Sequence, residues 1–194
     1  MVAYTARVSN PGNQLNNETA SKLLSYCIRN AHWSIFEMVD ATIEIECPRD
    51  IGRQILRHRT FTFQEFSQRY AEAQEYTWRE PRLQDKKNRQ NSIAGVDPDT
   101  EDFWQLIQTN ALVQAKRDYK HALNIGIAKE VARTILPEGL TMSRMYMKGS
   151  LRSWIHYCDL RSGNGTQKEH MLIAQSCWNL IANEFPSVVK AVKE

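Results

Sequence analysis

Residues 48–70 read PRDIGRQILRHRTFTFQEFSQRY, and their hydrophobic period changes half-way along. Pro48 and Asp50 suit a helix start, and Ile51, Ile55 and Leu56 supply an apolar stripe at helical spacing. Gln54, Arg57 and Arg59 then fall on the last turns of that helix. Beyond Arg59, Phe61 and Phe63 alternate with Thr60, Thr62 and Gln64, the period of an extended strand. Extended geometry continued onward sets Glu65, Ser67 and Arg69 on one side. A helix that passes straight into a strand points to a mixed α+β chain.

The charges in this stretch point to a ligand. Arg53, Arg57, His58 and Arg59 repel one another. A helix C-terminus favours cations, but capping uses only one or two. An anion relieves the rest, and the neighbouring phenylalanines suit an aromatic partner. A nucleotide is both.

Outward from there, Ala41, Ile43 and Ile45 alternate with Thr42, Glu44 and Glu46 as in a half-exposed strand. Residues 17–31 carry Ala20, Leu23, Leu24, Cys27, Ile28 and Ala31 at helical spacing behind Asn17 and Thr19. From Thr100 to about Leu136 the pattern is one long amphipathic helix or a broken pair. Phe103, Ile107, Ala111, Ala115, Tyr119 and Leu123 fall on one side, with Gly126 and Pro137 as interruption and stop. Another helix is expected from about Gln167 to Asn183. Residues 78–99 carry many charges and few apolar anchors, the pattern of a mobile, solvated loop.

With 194 residues, 42% hydrophobic and 24% charged, the chain has the makeup of one soluble domain. That length buries enough surface to need no disulfide or metal staple. A formal charge of +3 is too small to mark a nucleic-acid binder. Cys27, Cys47, Cys158 and Cys177 show no CxxC and no zinc-like His spacing, so no metal is expected and reduced thiols suit a cytoplasm. No signal peptide or membrane-spanning apolar run is evident.

Arg57-His58-Arg59, seven residues, then Ser67, with Glu65, Arg69 and Tyr70, resembles the signature of the flavin-dependent thymidylate synthases. Further blocks are similar in the same order: Ala6-Arg7-Val8-Ser9, His32 to Glu37, Arg82-Leu83-Gln84 with Asn88 to Ser92, Ala132 to Pro137, and Ser150 to His156 with Leu160-Arg161. The chain departs from the pattern at Met38 (often His), Gln64 (often Asn), Ser150 and His156 (often Asn), and Thr166-Gln167 (usually Ala-Gln).

The resemblance implies a single α+β domain over residues 1–194, with a central antiparallel or mixed sheet flanked by long helices. It implies reductive methylation of dUMP to dTMP, with 5,10-methylenetetrahydrofolate as carbon donor, FAD as redox cofactor and NADPH as reductant. It implies a cytoplasmic homotetramer, bacterial or phage-encoded, with small-molecule substrates and no nucleic-acid or membrane partner. Arg161 matches the catalytic arginine set against the uracil ring, stabilising charge at N3 and O2. Gln54, Arg57, Glu65, Ser67, Arg69 and Arg133 also match dUMP-binding positions. His32, Ser34, Arg57, His58, Arg59, Glu65, Ser150, Leu151, Arg152 and His156 match FAD-binding positions, with His32 approaching either flavin or folate.

Several plainer roles compete. Arg161 can instead pair with Asp159 or Glu169, and Glu65 with Arg57 or Arg69. Ser67 lacks a nearby His–Asp partner and is not expected to act as a nucleophile, nor is any cysteine. A non-enzymatic RNA- or single-strand-binding module is the rival function, since arginines interleaved with Phe also build stacking platforms. A third reading, a family member that binds FAD and dUMP without turnover, sits poorly with the retained Arg161.

Overall fold

A three-stranded antiparallel sheet in the order β1-β5-β2 organises the molecule. The computed structural model describes residues 1–163 and 165–193. In chain order its elements begin with α1 (Val2–Ala6), α2 (Ala20–Arg29), β1 (Asp40–Pro48), α3 (Arg49–Ile55) and β2 (Thr62–Glu65). A small hairpin, β3 (Leu83–Gln84) and β4 (Ser92–Ile93), precedes α4 (Pro98–Asn124) and α5 (Lys129–Ala132). The chain closes with β5 (Met142–Ser150), α6 (Leu151–Ser162), α7 (Lys168–Glu184) and α8 (Pro186–Lys193).

The central strand is β5, which sequence reading did not anticipate. Its Ser143, Met145, Met147 and Gly149 are buried while Arg144, Tyr146 and Lys148 are exposed, the alternation a one-sided sheet requires. Ile43 and Ile45 of β1 lie opposite Met147 and Met145, and Phe63 and Glu65 of β2 lie opposite the same two residues. The outer face is ion-paired, with Arg144 held by Glu44 and Glu46, and Lys148 by Asp40. The inner face packs on α3, α6 and α7 around the fully buried Trp154, whose Nε1 donates to Ala41 O at 3.1 Å.

Gly149 seats the residues that follow α3. A Cβ at this position would stand 2.5 Å from Cδ1 of Phe61, a ring that also packs edge-on against Trp154 and Tyr157. Phe61 N donates to His58 O, so the glycine sets the position of the Arg57–Arg59 turn. Gly149→Ala is therefore expected to cost about 1–3 kcal/mol through overpacking, read as a lower urea midpoint with an unchanged slope.

The helix at residue 49 and the strand at residue 62 form as expected, with one correction. α3 ends at Ile55, so Arg57 and Arg59 do not sit on its last turns but on the tight turns after it, where His58 N bonds Ile55 O. Phe61 must enter the core, and this draws the chain out of helical register. Strand geometry likewise stops at Glu65. Residues 67–71 fold back, with Tyr70 N and Ala71 N both donating to Ser67 O, so Ser67 and Arg69 do not continue the strand.

α4 starts where Asp97 accepts from Thr100 N and Thr100 Oγ1, with Pro98 in the first turn. It ends before Gly126, whose φ of 88° suits glycine alone. The buried positions are Gln108, Leu112 and Tyr119, whereas Phe103 is 64% exposed and Ile107 41%, so the stripe expected from Phe103 to Leu123 is covered only at its C-terminal end.

Residues 78–99 are better anchored than their charge suggests. Arg79 and Gln108 exchange hydrogen bonds, Arg79 N to Gln108 Oε1 at 2.7 Å and Gln108 Nε2 to Arg79 O at 3.0 Å. The Arg79 and Arg82 side chains are only 14% and 12% exposed. No helix among the described residues is long and apolar enough to cross a membrane.

Candidate active site

The periodicity of α6 places Trp154, Tyr157 and Cys158 inward, and Arg161 follows one turn further on, half-buried at the helix end. Its Nε donates to His58 Nε2 at 2.9 Å, across from the turn after α3. Neither Asp159 nor Glu169 takes it. No carboxylate among the described residues ion-pairs with Arg161, so its charge stays available.

His58 accepts from a group that can only donate, which fixes the imidazole as neutral with its proton on Nδ1. Burial, then the charges of Arg161 and Arg57, lower its pKa and hold that state. Tyr157 stands edge-on to His58 at 4.8 Å and bonds His170 Nε2 at 3.1 Å. His170 Nδ1 lies 3.3 Å from Gln54 Oε1, and Gln54 Nε2 donates to Gln167 Oε1 at 2.8 Å. His170 is fully buried, on the same stripe of α7 as Ala174, Cys177 and Ile181. Burial followed by the charges of Arg161 and His58 pushes its pKa down to about 4. Of these three basic groups only Arg161 carries charge at neutral pH.

Glu169 ends the chain, accepting from Gln167 at 3.0 Å and from Arg82 at 2.7 Å. Burial works to raise its pKa, but the bonds from Arg82 and Gln167 and the charge of Arg79 hold it below the usual carboxylate range. Arg79 continues the network to Asp50. Sequence reading missed Tyr157, His170, Arg79 and Arg82. A histidine on an apolar helical stripe was the available signal for His170.

A second group surrounds an open cavity of about 510 Å³ lined by Arg49, Arg53, Glu65, Phe66, Ser67, Arg133 and Glu138. Glu65 faces the inner side of the sheet and pairs with Arg53 at 3.3 Å and Arg49 at 3.7 Å, not with Arg57 or Arg69. Arg69 pairs instead with Glu130 at 3.3 Å. Arg133 Nε donates to Glu130 O, and it has no ion-pair partner among the described residues. Arg49 was missed because Pro48-Arg49 reads as a helix start. The expected dUMP positions thus divide, with Gln54 near Arg161 and Glu65, Ser67 and Arg133 around the cavity.

Of the expected flavin positions, His32, Ser34, Arg57, Arg59, Arg152 and His156 are exposed, His58 is half-buried and Ser150 is buried. His156 packs on Trp33 at 4.5 Å, His32 stands edge-on to Tyr26 at 6.0 Å, and Ser34 is exposed. Arg152 pairs with Glu37 at 3.1 Å, while Arg57 and Arg59 are exposed and without a carboxylate partner among the described residues. Ser150 Oγ caps α6 by accepting from Ser153 N at 3.3 Å. Two expectations change. Leu151 is fully buried and its N–H donates to Val39 O, so it offers no surface to a ligand. Glu65 lies with the cavity residues rather than with those exposed residues.

A family model described as thymidylate synthase complementing protein matches residues 1–187. The chain belongs to that family. Among relatives in this thymidylate synthase complementing family, a probable flavin-dependent thymidylate synthase of Paramecium bursaria Chlorella virus 1 is 51% identical, covering 99% of this chain and 89% of its own. A flavin-dependent thymidylate synthase of Synechocystis is 50% identical over 100% and 88% of the two chains. The crystal structure of a UMP/dUMP methylase, PolB from Streptomyces cacaoi bound with 5-Br dUMP, superimposes with a TM-score of 0.83 at 27% identity, covering 99% of this chain and 88% of that one.

Within this thymidylate synthase complementing family member the cysteines are placed as core residues. All four are buried, and burial pushes Cys47 and Cys177 up to about 12 and raises Cys27 and Cys158. None is a thiolate at neutral pH. Phe61 is buried and Phe63 half-buried, whereas Phe66 and Tyr70 of the same stretch are exposed.

The low pKa of His170 has a thermodynamic consequence. Its folded value lies below its unfolded value of about 6.5, so between those values the unfolded chain binds the extra proton. Stability is therefore lost as pH falls from about 6.5 toward 4, and His58 adds to the loss with the same sign. Urea denaturation at pH 7 and pH 5 is expected to differ by about 2 kcal/mol, less in His170→Leu. Equal stability at both pH values would contradict this.

Proposed function

We propose that this protein is a flavin-dependent thymidylate synthase that converts dUMP to dTMP, with 5,10-methylenetetrahydrofolate as carbon donor and NADPH as reductant. The observation that carries this reading is Arg161, a half-buried guanidinium with no carboxylate partner among the described residues, fixed by neutral His58 and linked through Tyr157 and His170 to Gln54. A donor-only cation in that setting suits negative charge developing at N3 and O2 of uracil. It polarises the ring and removes no proton. Arg133 and Ser67 suit the nucleotide phosphate at the cavity beside Glu65.

The surface after α3 fits FAD. Arg57 and Arg59, without a carboxylate partner among the described residues, offer two guanidinium groups to a pyrophosphate, and His156 and Trp33 offer aromatic faces to a ring system. Bound reduced FAD supplies the two electrons that turn a methylene into a methyl group. The chain's own residues bind, orient and polarise.

The working form in this reading is a cytoplasmic homotetramer with composite sites. Two features support it: the division of the dUMP positions between two regions of one chain, and the exposed apolar face of α4, where Phe103 is 64%, Leu106 55% and Val113 62% exposed. Purified protein should carry flavin absorbance bands, bind dUMP, and run as a tetramer in light scattering. A colourless protein that binds oligonucleotides in a salt-dependent way would refute the enzyme reading. An active, FAD-loaded monomer would refute the tetramer alone.

A further inference from the structure

The polar chain from Tyr157 to Glu169 has one consistent direction. Glu169 can only accept, so Gln167 turns Nε2 toward it at 3.0 Å while Arg82 occupies its other oxygen at 2.7 Å. Gln167 Oε1 then faces Gln54, whose Nε2 donates to it at 2.8 Å. Gln54 Oε1 is left opposite His170 Nδ1 at 3.3 Å, so Nδ1 carries the ring proton. His170 Nε2 is the acceptor, met by the Tyr157 hydroxyl at 3.1 Å.

A carboxamide keeps its shape when turned over, so a glutamine side chain alone offers donor or acceptor with little preference. Here both ends are fixed. One Nε2 hydrogen of Gln54 goes to Gln167, and the second remains for a ligand. Tyr157 at the far end of the chain packs against His58, which holds Arg161, so Gln54 and the guanidinium share one framework.

We propose that His170 is a positioning residue that locks the Gln54 amide with an N–H aimed at the pyrimidine, and that this lock selects the 4-keto oxygen of uracil over the 4-amino group of cytosine. The inference rests on the nucleotide reading above. With Arg161 given N3 and O2, position 4 is the remaining polar atom on that edge. Arg161 only donates, and cytosine N3 accepts, so the guanidinium by itself gives cytosine no penalty. Rejection must come from a second group of fixed polarity. A donor facing an amino group leaves both unpaired, which is worth on the order of 10- to 100-fold in affinity. If His170 is lost, only the bond to Gln167 Oε1 holds the amide, and its second N–H is no longer fixed on position 4, so the penalty against cytosine falls.

The test is calorimetric titration of dUMP and dCMP into the intact flavin-loaded protein and into His170→Leu and His170→Asn. His170→Leu should lower the dUMP:dCMP affinity ratio about tenfold or more. His170→Asn, whose amide nitrogen stands close to the imidazole Nδ1 position, should recover most of it. If His170→Leu weakens both nucleotides equally and leaves the ratio unchanged, His170 only fills space and the proposal falls. Ring nitrogen NMR shifts of the unsubstituted protein give a second readout that needs no variant to fold. A neutral Nδ1–H tautomer supports the lock, and an Nε2–H tautomer overturns it. Protein that binds neither nucleotide would defeat the nucleotide reading itself, whereas dUMP binding with an unaltered ratio defeats only the role of His170.

Discussion

Arg161→Ala is expected to slow dTMP formation on the order of a hundredfold while leaving the fold and most flavin binding intact. A preorganised donor facing developing charge in a site shielded from water is worth about 3 kcal/mol. Arg161 meets the structural requirement, since His58 fixes its Nε and no carboxylate among the described residues neutralises it. Lysine should rescue poorly, because an ammonium point charge cannot both hold His58 and present a planar fork to N3 and O2. The loss should fall on kcat more than on KM for dUMP, as for an interaction that strengthens in the transition state. An Ala variant that makes dTMP at the parent rate would return Arg161 to the role of a surface cation.

Arg133→Ala is expected to raise KM for dUMP about 10- to 100-fold with a smaller change in kcat, because charge-assisted bonds to a phosphate contribute about 1.5–3 kcal/mol to binding. The cavity holds three arginines, but they are not equivalent. Arg49 and Arg53 already face Glu65 and Glu138. Arg133 has no ion-pair partner among the described residues and is the cation available to an incoming anion. Arg53→Ala, which removes an exposed and already paired charge, should change KM less. Equal effects of the two substitutions in steady-state kinetics would place the phosphate elsewhere.

The parts of the fold that were legible in the sequence are those where one period dominates. Ile43 and Ile45 alternating with glutamates announced β1, and the change of period near Arg59 announced the passage from α3 to β2. The central strand β5 was overlooked although Ser143, Met145, Met147 and Gly149 alternate with Arg144, Tyr146 and Lys148. Methionine and lysine favour helices, and that local preference masked a pattern that only pairing on both sides enforces. Arg79 and Arg82 were read as solvated because their partners Asp50 and Glu169 are far away in sequence. The same distance hid the chain through Tyr157 and His170.

At the site, residue types were legible and their grouping was not. Arg161 and His58 were singled out separately, and the structure joins them at 2.9 Å. Glu65 was assigned arginine partners from its own stretch, yet strand register turns it toward Arg49 and Arg53 on α3. Leu151 was carried along with its neighbours, although a helix start packed on β1 buries it completely. Sequence proximity gave the chemistry, and only the fold decided which groups face each other.

The central claim is that this chain methylates dUMP with electrons delivered through flavin, and a single-turnover experiment tests it most directly. Flavin-loaded protein is reduced in the absence of oxygen, mixed with dUMP and methylenetetrahydrofolate, quenched, and assayed for dTMP and oxidised flavin together. The account predicts one dTMP for each flavin oxidised, and none when dUMP or the folate is omitted. Flavin that stays reduced, or that is oxidised with no dTMP formed, would contradict it.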